Sequence, residues 1–299
     1  MATFTSAAGT TLHYELRGDG PLLVCHPGGP GRAVSYLDTL GGADRTRTLL
    51  LLDPRGTGES APAGSYRYTE FADDLVALRE HLGVEQFDLL AHSAGTLPAL
   101  TYVQRHPDRV GRLVLLTPPR LVAEPLDVDT MVAEARQYYG DEPWFADAIE
   151  AFRTYGQRDL PPEEVEARIV RSAPLMYAAW TDAAREHAGR PFDADESRAV
   201  RAGFFPAGFL TTGFDSAGLA KFTNPVTVIA ADRDIYTGPT APGRIASWFP
   251  DATVTWLTAA GHNPWVDVPD QVAAAIEAAL TRPPAPQQPA NLAPPGSAR

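Results

Sequence analysis

The sequence predicts a mostly parallel, doubly wound α/β sheet with an inserted helical cap, and three observations predict it. Short apolar runs with little polar interruption recur at residues 22–25, 48–52, 87–90 and 113–116, then again at 226–231 and 253–257. Runs of this kind fit parallel strands buried on both faces. Helix-like stretches separate the runs, the alternation that lays helices over both faces of a parallel sheet. Between Arg120 and Ala217 the strand signal stops and helical signals take over.

Taken in order, residues 3–15 read as a two-stranded opening that turns at Ala8-Gly9. Helices are expected over 33–40, 69–82 and 95–106, between the first four apolar runs. The middle of the chain offers helices at 131–139, 144–155, 162–171, 175–187 and 193–202. Pro162 followed by Glu163 and Glu164 is a strong helix start, proline first and acids in the first turn. Strands and helices then alternate again, with helices at 242–248 and 269–280. The expected division is a core of 1–119 and 218–281, a cap of 120–217, and a Pro/Ala-rich disordered tail of 282–299.

The chemistry concentrates at Ala91-His92-Ser93-Ala94-Gly95. A serine between small residues, placed where a strand turns into a helix, is lifted clear of the sheet and faces a helix N-terminus. A neutral hydroxyl needs a base to take its proton and an acid to orient that base. Downstream, Asp232 and Asp234 follow one strand and His262 follows the next, both just past C-terminal strand ends. Ligand sites of open α/β sheets are built there. His262 is therefore the expected base. Asp234 is preferred over Asp232 as the acid, since it lies two residues further beyond the strand. His13, His81, His106 and His187 read as strand or helix residues, the last three on solvated faces. His92 is expected to point away from the hydroxyl, and His26 to support the loop that follows it.

That loop, His26-Pro27-Gly28-Gly29-Pro30-Gly31, lets the backbone approach a substrate closely. Pro27 and Pro30 carry no N–H. Gly29 and Ala94 are the expected backbone donors to the negative oxygen of an acyl-transfer transition state. The loop lacks the Gly-Lys-Ser/Thr of a phosphate-binding loop.

Together these pieces resemble the α/β-hydrolase superfamily, in the branch that contains the prolyl iminopeptidases. The resemblance rests on Pro27-Gly28-Gly29-Pro30-Gly31, Asp53-Pro54-Arg55-Gly56-Thr57-Gly58-Glu59-Ser60, the Ser93 elbow, Asp234 and Gly261-His262. It spans 10–119 and 225–280. It implies an α/β-hydrolase fold and a Ser93–His262–Asp234 triad, with Asp53 and Arg55 in a structural turn. The chain departs from the branch at Pro27, which holds a histidine position, and at an elbow without tryptophan, two changes that touch the acyl pocket. The implied activity is hydrolysis of a small peptide, amide or ester, with an N-terminal aminopeptidase as one form. A carboxylesterase or lactonase is the alternative, and a non-hydrolytic cyclase or lyase on the same scaffold is a further one. Glu142, Trp144, Tyr177 and Trp180 are the expected substrate contacts, with Asp141 or Glu142 receiving a substrate amine.

Composition bounds the rest. With 44% apolar and 21% charged residues, the 299-residue chain can build one large core. A net charge of −12 argues against nucleic acid, whose phosphates require clustered Lys and Arg. The same acidity, placed near the mouth of a site, would draw cationic substrates. No run of about 18 apolar residues suggests a membrane span. The single cysteine, Cys25, allows no internal disulfide and is expected to pack in its strand. A cytoplasmic, metal-free and cofactor-free enzyme acting on a small molecule or short peptide is the expectation.

Overall fold

A computed structural model describes residues 2–154, 161–190 and 194–283. Among them eight strands form one sheet: β1 (Ala2–Thr5), β2 (Thr11–Arg17), β3 (Leu22–His26), β4 (Thr48–Leu52), β5 (Phe87–His92), β6 (Val110–Leu116), β7 (Val226–Ala231) and β8 (Ala252–Leu257). Their order is β1-β2-β4-β3-β5-β6-β7-β8. The pairs β1/β2 and β2/β4 are antiparallel and the remaining pairs parallel. The expected fold class is the one observed.

The apolar runs explain the layering, because alternate residues of a strand face opposite sides. Leu50, Leu89, Leu113 and Val228 pack under α1 (Tyr68–Leu82) and α2 (Thr96–Arg105), through Phe71, Leu75, Leu97 and Leu100. Their neighbours Leu49, Leu51, Leu90, Val114 and Ile229 face the other way, where Val272, Ile276 and Leu280 of the C-terminal helix Pro269–Thr281 cover them. Cys25 packs in this second layer, fully buried, and burial pushes its thiol pKa up.

Between β6 and β7 the described residues form α3 (Val128–Tyr139), α4 (Phe145–Thr154), α5 (Pro162–Ser172), α6 (Asp182–Ala188), α7 (Ala194–Phe204) and the short α8 (Phe209–Thr212). After β7 come α9 (Ala241–Ala246), α10 (Pro264–Asp267) and α11 (Pro269–Thr281). Among the described residues no helix is long and apolar enough to cross a membrane.

Two helical expectations fail for physical reasons. The helix expected at 33–40 is a single 3₁₀ turn, Val34–Leu37, because Asp38 (φ 51°) and Leu40 (φ 50°) are left-handed and cannot continue it. The helix expected at 175–187 is split. A 3₁₀ turn, Ala173–Met176, ends at an extended Tyr177, and α6 starts afresh at Thr181, whose side chain accepts the Ala184 N–H at 3.2 Å. The break is held from outside, since Asp267 Oδ2 takes the Ala178 N–H at 3.0 Å. His187, expected on a solvated face, is buried, with 4% of its surface exposed. Tyr155 and residues 284–299 of the expected tail lie outside the described residues.

Candidate active site

Four parallel strands deliver the site at their C-terminal ends. β5 ends at His92, and Ser93 follows with φ 51°, a left-handed conformation that an L-residue adopts only when its surroundings impose it. Two close approaches impose it here. A Cβ on Gly95 would collide with the Pro27 carbonyl, and one on Gly28 would lie 2.7 Å from Ser93 Cβ. The loop after β3 thus presses on the elbow, and α2 begins directly behind it.

Asp234 lies three residues past β7 and His262 five past β8. His262 Nδ1–H donates to Asp234 Oδ2 at 2.8 Å, and the Ser93 hydroxyl donates to His262 Nε2 at 2.8 Å. Asp234 is held as a carboxylate would be. Its Oδ1 accepts the N–H groups of Tyr236 (2.8 Å) and Thr237 (3.2 Å), and Oδ2 accepts the Thr237 hydroxyl at 2.6 Å. Asp232 is exposed and turns elsewhere, accepting the Ala260 N–H at 3.1 Å rather than bonding within its own turn. Ser93, Asp234 and His262 thus lie within hydrogen-bond reach of one another, and it is Asp234 rather than Asp232 that touches His262.

Both ring nitrogens of His92 are committed to groups other than the Ser93 hydroxyl, and they tie the site together. Its Nε2–H donates to the His262 carbonyl at 3.0 Å, which leaves Nδ1 to accept the Tyr36 hydroxyl at 2.6 Å. Tyr36 Oη in turn accepts the Gly28 N–H at 2.7 Å. One chain of donors therefore links the glycine loop to the backbone of the imidazole facing Ser93. It requires a neutral His92, and burial holds that imidazole well below the usual histidine pKa. The Thr117 hydroxyl also donates to the His262 carbonyl, at 3.0 Å. His26 supports the loop by donating from Nδ1 to the Pro27 carbonyl at 2.8 Å.

The same chain discriminates among the glycines. The Gly28 N–H is committed to Tyr36, whereas Gly29 lines the cavity in front of Ser93. Ala94 also lines it, and its N–H belongs to a first helical turn, where amides lack intrahelical acceptors. The Asp53 turn is structural. Its carboxylate accepts the Val34 N–H at 2.8 Å and His13 Nδ1–H at 3.0 Å, while Arg55 forks onto Asp74 at 2.7 and 2.8 Å.

The cavity over Ser93 holds about 320 Å³. Its far wall comes from between β6 and β7: Leu121, Ile169, Ser172, Met176, Arg201 and Phe205. None of the four expected substrate contacts lines it. Glu142 and Asp141 are exposed, and Trp144 packs on Tyr139 with ring centroids 5.4 Å apart. Tyr177 and Trp180 line a neighbouring cavity of about 260 Å³. Sequence reasoning missed Arg32, Tyr36 and Asn263, which line the Ser93 cavity. Their signal was adjacency, since Arg32 closes the Gly-Pro loop and Asn263 follows His262.

Comparison with known proteins agrees with this architecture. A family model described as alpha/beta hydrolase fold matches residues 21–267. A proline iminopeptidase of Arabidopsis thaliana is 34% identical over 110 residues, 35% of this chain, and the match spans only 29% of that protein's length. A 2-(acetamidomethylene)succinate hydrolase of Mesorhizobium japonicum is 24% identical over 256 residues, covering 84% of this chain and 85% of that one. Among solved structures, an esterase from Exiguobacterium antarcticum superposes with a TM-score of 0.68 at 18% identity, over 93% of this chain and 98% of that chain.

Proposed function

The chain belongs to the alpha/beta hydrolase fold family, and from that premise we propose that it is a serine hydrolase working by acyl transfer on a small ester, lactone or amide. The observation that carries this reading is the unbroken relay at the cavity floor, Ser93 Oγ–H to His262 Nε2 and His262 Nδ1–H to Asp234 Oδ2, each at 2.8 Å.

Ser93 Oγ attacks the substrate carbonyl as His262 Nε2 takes its proton. The developing oxyanion is received by the N–H groups of Gly29 and Ala94. His262 then protonates the leaving alkoxide or amine, and the acyl group remains on Ser93. Water, deprotonated by the same imidazole, attacks the ester and releases the acid. Asp234 keeps the proton on Nδ1, so that Nε2 faces Ser93 as an acceptor, and it stabilises the imidazolium formed in each half-reaction. Residues 120–217 act in this reading as a cap, supplying the mostly apolar far wall that limits substrate size and excludes water.

The ester or lactone form is favoured over N-terminal aminopeptidase action. A free amino terminus calls for a carboxylate beside the scissile bond. Among the described residues lining the Ser93 cavity there is no Asp or Glu, and Glu142 is exposed away from it. Partial matches to iminopeptidases therefore support the machinery more than the specificity.

The test is hydrolysis of short-chain p-nitrophenyl esters and of proline and alanine p-nitroanilides by wild type and Ser93→Ala, alongside labelling with a fluorophosphonate. Ester cleavage and labelling, both abolished in Ser93→Ala, are expected. Labelling that persists in that variant, or ester cleavage unaffected by it, overturns the assignment of Ser93. Anilide cleavage that exceeds ester cleavage restores the aminopeptidase form.

A further inference from the structure

The loop that carries His262 is held along three successive residues. Its middle carbonyl, that of His262, accepts from His92 Nε2 and from the Thr117 hydroxyl, each at 3.0 Å. The N–H groups on either side are taken by other parts of the chain. The Asn263 N–H donates to the Met176 carbonyl at 3.1 Å, and the Gly261 N–H donates to Asp267 Oδ2 at 2.8 Å. The same Oδ2 accepts the Ala178 N–H at 3.0 Å. One carboxyl oxygen thus joins the His262 loop to a segment that lies 89 residues earlier in the chain.

Residues 176–178 lie between β6 and β7, where the helix expected at 175–187 breaks. Tyr177 is extended there (φ −129°, ψ 150°), and its backbone runs against Gly261. A Cβ on Gly261 would lie 2.7 Å from Tyr177 Cα and 2.8 Å from the Ala178 nitrogen, so the two backbones meet only because residue 261 has no side chain. Arg233 fastens a third strand end to the same place. Its N–H donates to the Ala260 carbonyl at 2.9 Å, and its guanidinium donates to the Ala178 carbonyl at 3.4 Å. Asp234 follows Arg233, so the acid, the base and the segment 176–178 are tied within a few residues of one another. Met176 completes the link, since it lines the Ser93 cavity while its carbonyl holds Asn263.

We propose that Asp267 is a positioning residue for His262: by accepting from Gly261 and Ala178 at once, it clamps the segment 176–178 to the loop of the base, so that the wall of the cavity and the aim of the imidazole are set together. Asp267 touches no reacting atom and acts through the backbone next to His262. Gly261 and Ala178 are buried, and their N–H groups need an acceptor that water does not supply. One oxygen with two lone pairs serves both. Losing it would free the Gly261 side of the loop and the Ala178 side of the wall in one step. This inference rests on the serine hydrolase reading for the reaction; the clamp itself is a matter of geometry.

The experiment separates the two. Hydrolysis of p-nitrophenyl butyrate and the rate of fluorophosphonate labelling are measured on the full-length chain and on its Asp267→Ala, Asp267→Ser and Asp267→Asn variants, with circular dichroism verifying the fold of each. Asp267→Ala is expected to lower kcat and the labelling rate by about 10- to 100-fold, the cost of a misplaced base, with KM moving less. Asp267→Ser, whose hydroxyl is too short to bridge the two N–H groups, should lose as much, and it decides the matter where Asp267→Ala does not fold. Asp267→Asn should recover most of the loss, because its amide oxygen can take both N–H groups. Proton NMR reads the His262 Nδ1–H directly. Its downfield resonance, assigned by its absence in His262→Gln, is expected to shift or broaden in Asp267→Ala and to hold in Asp267→Asn. A kcat that stays at the wild-type value while KM rises, equal losses in Asp267→Asn and Asp267→Ala, or a loss of stability with the resonance unmoved overturns the positioning role. A wild type that neither turns over nor labels, with a resonance that answers to Asp267→Ala, removes the hydrolase reading and leaves the clamp standing. Ser93-dependent turnover that Asp267→Ala leaves untouched does the reverse.

Discussion

The floor and the far wall of the Ser93 cavity are built by different rules. The floor is a hydrogen-bonded lattice: Ser93, His262 and Asp234 are linked at 2.8 Å, His92 and Thr117 both hold the His262 carbonyl, and Tyr36 holds His92. The far wall is made mostly of apolar side chains from scattered turns and helices, among them Leu121, Ile169, Met176 and Phe205. Polar lattices demand particular partners at particular distances, and apolar walls demand only volume. The floor should therefore govern rate and tolerate little, whereas the wall should govern selectivity and tolerate much.

The sharpest way to break that contrast is at the acid. Asp234→Asn keeps the volume and replaces the carboxyl that accepts the His262 Nδ1–H, which in the proposed mechanism fixes the imidazole tautomer. A fall in kcat of about 10²–10⁴ is expected, with little loss of thermal stability. Asp232→Asn, one turn away and exposed, should stay near wild type. Equal losses in the two variants would mean that the acid is not assigned by the 2.8 Å contact.

The lattice also has a pH signature. Burial lowers the pKa of His26 and of His187 to about 4, and it holds that of His92 well below the usual histidine value. In the unfolded chain each returns to about 6.5, so between these values the unfolded state takes up protons that the fold refuses. The contribution to stability is thus complete above pH 6.5 and drains away as pH falls toward 4, by about 3 kcal/mol each for His26 and His187. Asp267, which burial raises to about 6, works in the opposite direction, since the fold holds its proton more tightly than the unfolded chain does. Urea midpoints measured at pH 7, 6 and 5 should fall steadily, and His187→Gln should flatten the slope. A midpoint constant over that range would mean that these imidazoles are not held neutral.

Tyr36→Phe probes the link between loop and base. It deletes the acceptor of the Gly28 N–H and the donor to His92 Nδ1 while leaving the ring in place. Two buried groups lose their partners, which costs about 1–3 kcal/mol in stability. The Gly28 N–H and His92, which in turn bonds the His262 carbonyl, both lose their anchor, so kcat should fall with KM less affected. A variant that loses stability and keeps its kcat would show the chain of bonds to be scaffolding alone.

The same division decides what could be read from the sequence. Ser93, Asp234 and His262 are local signals: each sits just past an apolar run, in the order Ser, Asp, His, and Ser93 is followed by Ala94 and by Gly95, where the close approach of the Pro27 carbonyl leaves no room for a Cβ. The six parallel strands β3 to β8 were legible for the same reason, through apolar runs with little polar interruption, and β1 and β2 through the turn at Ala8-Gly9. The wall was not. Glu142 and Trp144 were chosen for residue type, yet Glu142 is exposed and Trp144 packs on Tyr139, because the helices between β6 and β7 are oriented by packing among Met131, Ile149, Phe152 and Leu175. Nothing in a sequence period specifies which ends of those helices meet above Ser93. Tyr36 was hidden by a helix expected at 33–40, which the left-handed Asp38 and Leu40 reduce to one turn. His187 has a helical residue's position and a core residue's environment, since its partners, Tyr177 Oη and the Tyr36 carbonyl, come from distant segments.

The smallest effect is expected at the wall, and it sharpens the comparison most. Leu121 lies within the cavity lining and outside the bonded lattice. Leu121→Ala removes apolar contact that a substrate makes equally before and during reaction, so KM should rise by about three- to tenfold with kcat nearly constant. A larger acyl chain should recover the lost contact, shifting the optimum by one or two methylenes at about 0.8 kcal/mol each. A variant whose kcat falls while KM holds would place Leu121 among the groups that act only in the transition state. The wall would then share the work of the floor, and the contrast drawn from their construction would fail at its weakest point.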